Sequence, residues 1–318
     1  WERELSYNVG TDISLSDRRL NFTFDVYLKK TTGLVLDASR APSTGTNSAK
    51  ANIGEMENKG LEFQVDGMLV QRNDFYWQVA ATGSMNRNRI LKINSALKKA
   101  NEDANKVDSK TPLAQYEEGE STSALKVVKS AGIDPATGQE VFIKLNGERT
   151  FEYSADDKFV IGDTEPKFRG TVSTNLFYKG FSLYLLGRYE CGAYLYNTTR
   201  ATKVEGADPK KNADKRVFSS RWKNPGDIAF YKDIADSEGW GAKPKHTDRF
   251  VEKENVFTLG TVNFGYEFRP NICSKIGVRN LRVGVNLTDI VRWSNVKIER
   301  GTTYLYSNGF EFTLSTTF

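Results

Sequence analysis

Phe310-Glu311-Phe312-Thr313-Leu314-Ser315-Thr316-Thr317-Phe318 closes the chain with large apolar residues that alternate with polar ones and end on an aromatic ring. Successive side chains of a strand point to opposite faces, so Phe310, Phe312 and Phe318 share one face. A membrane-spanning barrel strand has this pattern, because lipid-facing and lumen-facing residues alternate along it. An edge strand of a soluble sandwich would alternate in the same way. We interpret these aromatic residues as a barrel-assembly terminus, to be tested against the rest of the chain.

Composition excludes a helical membrane protein and leaves a barrel open. The 318 residues are 38% hydrophobic, with 14 Tyr and 19 Phe, and contain no long uninterrupted apolar run. A mean hydropathy of −0.53 agrees with strands whose second face borders a polar lumen. The 45 basic and 40 acidic residues form no basic stripe with interleaved aromatics, so we expect no nucleic-acid partner.

A period of two recurs in about nine segments, which predicts an all-β fold of antiparallel strands. Leu20, Phe22, Phe24 and Val26, for example, alternate with polar residues and follow a short polar turn at Ser16-Asp17-Arg18-Arg19. Further pairs of strands turn at Gln71-Arg72-Asn73-Asp74, at Lys179-Gly180 and between Arg269 and Asn280.

Short turns and long connections alternate along the chain. The long ones are predicted at about 37–55, 90–165, 196–254 and 290–304. Outer-membrane barrels have short periplasmic turns and long extracellular loops, so we assign the long connections to the outside. This sorting by length predicts an antiparallel transmembrane β-barrel.

An odd number of strands does not close a bacterial single-chain barrel. We therefore expect residues 1–318 to be the C-terminal part of one barrel domain, with the remaining strands supplied from elsewhere. Unpaired backbone groups at the two edges would otherwise meet lipid. A cleavage or modelling boundary before Trp1 and a truly split gene both remain open, and no signal peptide opens the chain.

Several motifs give the chain a family resemblance. The segment Asn52-Ile53-Gly54-Glu55-Met56-Glu57-Asn58-Lys59-Gly60-Leu61-Glu62 resembles the N-x-G-x-x-x-N-x-G-x-E segment of SusC/RagA-type TonB-dependent transporters of Bacteroidota. Further matches in the same order are Trp1-Glu2 with Tyr7-Asn8-Val9-Gly10 and Asp12, Arg221 to Asp227, Asp248 to Glu252 with Gly265 to Phe268, and Val285 to Asp289.

The resemblance implies a barrel of about 22 strands with an N-terminal plug that is absent from this chain. It also implies import of glycan fragments or peptides, with outer-membrane lipid around the barrel, a SusD-like surface lipoprotein as a lid and the TonB complex acting on the plug. No cofactor is implied. The rival hypothesis is a SusC-like barrel that serves a larger outer-membrane complex as a structural or assembly component. A passive porin and a soluble carbohydrate-binding sandwich are more distant alternatives.

No catalytic motif is present. His246 is the single histidine, and no G-x-S-x-G elbow accompanies it. Cys191 and Cys273 lie far apart without metal or redox spacing. The acidic stretch from Glu102 to Glu120 has no EF-hand spacing, which favours a solvated loop over a calcium site.

Loop aromatics are the candidate contacts to ligand or lipoprotein, because flat rings stack on sugars and pack on peptides. They are Tyr116, Trp222, Phe230, Tyr231 and Trp240. Packing inside a large loop is the alternative role for each of them. Arg169, Arg188, Glu190 and Arg282 are predicted on the lumen side, facing a plug or pairing with one another.

Replacing Phe318 by Ser, or deleting it, should reduce insertion of the barrel if the terminal aromatic is read during assembly. Surface levels of the variant, measured by antibody on intact cells, test this. Unchanged levels would contradict our interpretation of the terminus.

Overall fold

The computed structural model describes residues 1–39, 48–106, 111–207, 214–234, 245–297 and 307–318. Strands dominate these ranges, and helices are few and short. Among the described residues, no helix combines the length and the apolar character needed to cross a membrane.

The strands run in chain order from β1 to β13 with two α-helices between them. They are β1 Arg3–Leu15, β2 Leu20–Ser39, β3 Ser48–Arg72, β4 Phe75–Ile93, α1 Ser95–Lys106, β5 Ala124–Ile133, β6 Glu140–Ile143, β7 Arg149–Thr150, β8 Lys158–Asp163, β9 Phe168–Tyr178, β10 Phe181–Tyr196, β11 Val251–Glu267, α2 Pro270–Cys273, β12 Asn280–Ser294 and β13 Gly309–Thr317.

Nine strands form one antiparallel sheet in the order β1-β2-β3-β4-β9-β10-β11-β12-β13. Neighbours in the sheet follow one another in sequence, apart from a four-stranded sheet, β7-β6-β5-β8, inserted between β4 and β9. The predicted all-β, antiparallel barrel architecture is therefore confirmed, and so is the predicted number of strands in the wall.

One face of the large sheet is apolar across all nine strands. In register, Leu185 lies opposite Val262, Val262 opposite Leu287, and Leu287 opposite Phe310. Val9, Val26, Leu61 and Met85 make a similar row at the other side of the sheet. Exposed apolar residues on one continuous face are expected where the surrounding solvent is lipid.

Two belts of aromatic rings border this apolar face. The belt near the short turns includes Phe75 against Tyr178, with ring centroids 5.9 Å apart, and Phe181 against Tyr266 at 4.5 Å. The other belt includes Phe168 against Tyr189 at 5.2 Å and Phe257 against Trp293 at 5.7 Å.

The spacing of the belts fits the thickness of a membrane. Phe168 and Tyr178 are about ten residues apart on β9, which is about 33 Å along a strand. A tilt of about 40° reduces this to roughly 25 Å, the height of the apolar band of outer-membrane barrels. The membrane-spanning part of the wall therefore lies between the two belts.

The short turns all lie at one edge of the sheet. Lys179 and Gly180 have φ of 48° and 95°, the left-handed pair that a tight hairpin requires. Ser16, Asp17 and Arg18 also have positive φ, between 52° and 64°. A side chain at Gly180 would collide with the Glu267 carbonyl, 2.6 Å from the ideal Cβ position, so glycine is required there.

The long connections lie at the opposite edge, and their bounds differ from the predicted ones: several strands extend into the predicted connections, whereas β9 and β13 begin later than predicted, at Phe168 and Gly309. β2 continues to Ser39, β3 begins at Ser48, β4 reaches Ile93 and β12 reaches Ser294. Beyond the upper belt the outward face no longer contacts lipid, so apolar side chains are not needed there. The alternation of apolar and polar residues therefore ends, although the backbones of the strands remain hydrogen-bonded to each other. Cys191 and Cys273 are both free thiols.

Leu185 lies midway between the belts, four residues from Phe181 and four from Tyr189. Leu185→Arg should destabilise the barrel by about 2–4 kcal/mol, because the charge would lie near the bilayer midplane. Urea titration of the barrel in lipid vesicles measures this. The control is Asn263→Arg on the polar face of the neighbouring strand, and equal losses for the two variants would contradict the assignment of faces.

Candidate functional site

A folded module occupies the edge of the long connections. It combines α1 and the sheet β5 to β8 with residues 197–207, 214–234 and 245–250. Val127 and Val128 of β5 are fully buried, because the module covers this strand on both faces. The Val128 amide donates to the His246 carbonyl at 3.0 Å, which joins the two connections.

The module is attached to the ends of the wall strands. Ile90 of β4 donates from its backbone to Glu120 at 2.8 Å, and Gly119 donates back to Ile90 at 2.8 Å. The ring of Tyr194 on β10 covers Gly162 of β8, where a Cβ would lie 2.3 Å from the ring. The wall and the module therefore share contacts on both sides of the insertion.

A buried ion cluster around Arg249 connects the two halves of the module. The guanidinium contacts Glu140 with Nε–Oε1 at 2.6 Å and Glu205 with Nη2–Oε1 at 2.7 Å. The side chains of Arg249, Glu140 and Glu205 are 7%, 4% and 2% exposed. Each carboxylate accepts hydrogen bonds from two guanidinium nitrogens. In this bidentate geometry the attraction between the buried charges offsets the cost of removing them from water most effectively.

The electrostatics of the cluster keep Arg249 charged. Burial alone would lower the pKa of Arg249, but the Glu205 and Glu140 carboxylates more than reverse that effect, so its pKa is raised. Burial also raises the pKa of the Asp248 carboxyl, which accepts a hydrogen bond from the Ser130 amide. Burial raises the pKa of Tyr153 to about 12.

Arg221 donates hydrogen bonds to several backbone carbonyls of the connection between β10 and β11. Its guanidinium donates to the backbone carbonyls of Val217 at 2.9 Å and Lys232 at 2.9 Å, and also to the carbonyls of Val204 and Glu205. Burial lowers its pKa from the usual value. An arginine bound to carbonyls fixes loop backbone that no sheet or helix pairs.

The residues after Arg221 form a turn that rests on the β5–β6 hairpin. Trp222 donates from Nε1 to the Pro135 carbonyl at 2.8 Å, and its ring covers Gly138. Asp227 accepts from the amides of Lys223 and Asn224 at 3.1 and 2.9 Å. The segment that carried the family resemblance is therefore a structural unit of the module.

The predicted loop aromatics fall into different environments. Trp222 and Tyr231 are buried at 9% and 5% exposure, and Phe230 is half-buried with the Arg200 guanidinium 4.4 Å above its ring. The burial of Trp222 and Tyr231 favours the packing role that was the alternative for them, and a contact to ligand or lipoprotein stays a prediction for Phe230. Tyr116 is half-buried and exchanges backbone hydrogen bonds with the Asn101 side chain. Trp240 lies outside the described residues.

The predicted lumen residues all lie on the polar face of the wall. Arg188 contacts Asp289 at 3.5 Å, and Arg282 donates to Ser182 at 3.4 Å. Arg169 and Glu190 are cross-strand partners on β9 and β10.

Sequence reasoning missed the carboxylates on the polar face of β1 to β3. Asp25 and Glu62 lie directly opposite each other, and Asp25 accepts a hydrogen bond from Asn8 at 3.2 Å. Asp12 accepts from Thr23, and Asp66 from Asn21. The register of the sheet is the information that brings them together, and the sequence does not give it.

A second missed feature is a row of amides across the polar face. Asn175 of β9, Tyr184 of β10, Asn263 of β11 and Asn286 of β12 occupy successive register positions. They line a concavity of about 600 Å³ together with Tyr76, Arg282 and residues below the row. Amide and hydroxyl groups offer both donors and acceptors to a polar ligand.

Phe310 and Phe312 lie on the outward face of β13, and Phe318 directly follows the last residue of this strand. Phe310, Phe312 and Phe318 are 71%, 63% and 81% exposed. Within the described ranges, no group of three or more His, Cys, Asp or Glu side chains is arranged to hold a metal ion.

Comparison with known proteins relates part of this wall to a family. Residues 1–121 match the model described as TonB dependent receptor-like, beta-barrel. Over these residues the chain is similar to the TonB-dependent receptor β-barrel family. Receptors with this barrel are outer-membrane proteins and not enzymes, and the match places the wall in the outer membrane.

Curated relatives and a solved structure are similar to this chain. It is 26% identical to TonB-dependent receptor P3 of Formosa agariphila, over 93% of this chain and 30% of that protein. It is 30% identical to TonB-dependent receptor SusC of Bacteroides thetaiotaomicron, over 29% of this chain and 9% of that one. The RagAB peptide importer in its 'open-open' state matches with a TM-score of 0.78 at 19% identity, over 100% of this chain and 35% of that chain.

The chain spans about a third of the length of the curated relatives that it matches over most of its own sequence. The match to RagAB shows the same fold, and the family match over residues 1–121 agrees with that fold.

Arg249→Met should open the module, because it leaves Glu140 and Glu205 buried without their cation. Removing one partner of a buried ion pair costs about 3–5 kcal/mol. Hydrogen exchange of the Val128 amide reports the opening, since this amide bonds across the two halves. Lys144→Met is the control, because its pair with Glu148 is exposed to solvent and contributes little to stability. Equal protection in the two variants would contradict the role of the cluster.

Proposed function

We propose that the protein imports nutrient oligomers across the outer membrane as the SusC-like component of a TonB-dependent transporter. Glycan fragments are the first candidate substrates and peptides the second. A plug-bearing N-terminal portion, a SusD-like lipoprotein and the TonB complex complete the assembly in this proposal. The observation that carries it is a wall with a polar, amide-lined inner face beneath a folded module at the long-loop edge.

The polar face suits oligomers with many hydrogen-bonding groups and little charge. Asn263 and Asn286 lie on neighbouring strands, about 4.8 Å apart across the sheet, and Asn175 lies two strands from Asn263 with Tyr184 between them. Each of the three amides offers both donors and acceptors. Sugars and peptide groups have the same balance of donors and acceptors. The name of the RagAB peptide importer, which shares this fold, supports the peptide class for that protein and makes peptides worth testing here.

The module carries exposed apolar residues that suit a protein lid. Ile228 is 95% exposed and follows the rigid turn closed by Asp227, and Phe218 is 73% exposed. Large apolar side chains on ordered loops are common at protein interfaces. We assign them to the contact with the SusD-like lipoprotein.

Purification of a tagged form tests the partners. An epitope inserted at Asn146-Gly147, an exposed turn of the module, should be accessible on intact cells and should recover a plug-bearing portion and one SusD-like lipoprotein by mass spectrometry. Ile228→Asp should reduce recovery of the lipoprotein several-fold. The control is Ile228→Leu in the same tagged protein, which keeps a large apolar side chain at this exposed position. Recovery of assembly or secretion proteins instead would favour the structural rival.

Growth tests the substrate. A strain lacking the protein should lose growth on the transported glycan fragments or peptides and regain it on complementation. Loss of growth on peptides alone would reverse the order of the two classes, and normal growth on every oligomer tested would overturn import.

A further inference from the structure

The connection between β11 and β12 is an ordered knob at the short-turn edge of the wall. We call residues 269–279 the rim knob. Pro270 begins α2, and the Ile272 amide donates to the Arg269 carbonyl at 2.9 Å. Gly277 takes φ of 75°, after which the Val278 amide returns to the Cys273 carbonyl at 3.1 Å. These bonds fix the shape of the knob.

The rim knob buries a cysteine side chain and exposes two isoleucine side chains. Cys273 is 1% exposed, and its thiol points to the Phe268 carbonyl at 3.6 Å. Ile272 and Ile276 are 41% and 58% exposed. Holding two isoleucines in water on a fixed turn is unfavourable in proportion to their apolar area, so their exposure calls for a covering phase or partner.

The charge of the rim knob has one sign. Arg269, Lys275 and Arg279 are its charged residues, and no carboxylate occurs between Phe268 and Asn280. The nearest carboxylate in sequence, Glu267, accepts a hydrogen bond from Asn280 at 3.3 Å and is the cross-strand partner of Arg282 on the polar face.

The location of the rim knob matches the edge of the lipid-facing surface. Phe268 stacks edge-on against Tyr266 with ring centroids 4.9 Å apart, and Tyr266 lies opposite Phe181 in the lower aromatic belt. On the other side, the Arg279 amide donates to the Thr317 carbonyl at 2.7 Å. The knob therefore begins where the apolar band ends.

We propose that the rim knob anchors the barrel to the anionic phospholipid leaflet at the short-turn edge. Ile272 and Ile276 enter the boundary between headgroups and acyl chains, and Arg269, Lys275 and Arg279 bind the phosphates. Apolar residues at the interface combined with several cations are the combination that binds anionic lipid surfaces.

Charge and position together select this occupant. A partner protein would need a surface both apolar and acidic at the level of the lower belt. An anionic leaflet supplies both properties at that level, and it surrounds any barrel that spans the membrane.

Depth measurement tests the apolar half of the proposal. A nitroxide on Ile276→Cys in a Cys191→Ser background, in the protein purified from outer membranes and placed in phosphatidylglycerol nanodiscs, should collide with oxygen more than with a water-soluble nickel reagent. Cys273 is buried and should stay unlabelled. The control is Asn73→Cys in the β3–β4 turn at the same edge, where nickel should dominate. Nickel dominance at position 276, or shielding from both reagents, would overturn the proposal.

Lipid selection tests the charged half. In nanodiscs with equal phosphatidylglycerol and phosphatidylcholine, the protein should retain phosphatidylglycerol preferentially in native mass spectrometry. Arg269→Gln, Lys275→Gln and Arg279→Gln should each lower that preference, by up to about fivefold per cation removed. Lys144→Gln in the module is the charge-matched control. An unchanged preference in the triple variant would overturn the proposal, and the result does not depend on whether the protein transports anything.

Discussion

The need to satisfy every backbone N–H and C=O group inside a membrane governs this structure. Lipid offers no hydrogen-bond partners, so each strand of the wall must be bonded along its length to its neighbours. The pairing from β1 through β13 meets this demand, apart from β-bulges such as those around Gly260 of β11, where the register shifts against both β10 and β12. All other features of the chain are arranged around that ladder: the turns that reverse it, the apolar face that contacts lipid and the polar face that contacts the lumen.

Outside the membrane, in the module, buried charged side chains hold together segments that are not paired as strands. The module has few regular strands of its own, so arginines take over the role of backbone ladders there. Arg249 joins Glu140 to Glu205 across segments far apart in sequence, and Arg221 collects four carbonyls of one loop. A module that is already ordered loses little conformational entropy when it binds a partner or a substrate. The two arginines therefore link the fold of the loops to the function proposed for them.

The two edges of the wall differ in the same physical terms. At the long-connection edge, strands extend past the upper belt and carry a folded domain. At the short-turn edge, only residues 269–279 exceed a tight turn, and they combine exposed isoleucines with three cationic side chains. This difference agrees with the two proposals, in which the short-turn edge contacts lipid headgroups and the long-connection edge contacts a protein partner.

Much of the wall was predictable because lipid imposes a strict local rule. Alternation along each strand, the glycine at position 180 and the ordering of short and long connections are properties of neighbouring residues, and they determined the fold class, the strand number and the two faces. The ends of the strands were not predictable, because the backbone ladder outlasts the alternation. The burial of Trp222 and Tyr231, the Arg249 cluster, the facing carboxylates Asp25 and Glu62 and the amide row were decided only by tertiary structure. Each of these features is a contact between residues that are far apart in sequence, and a local sequence pattern does not predict such contacts.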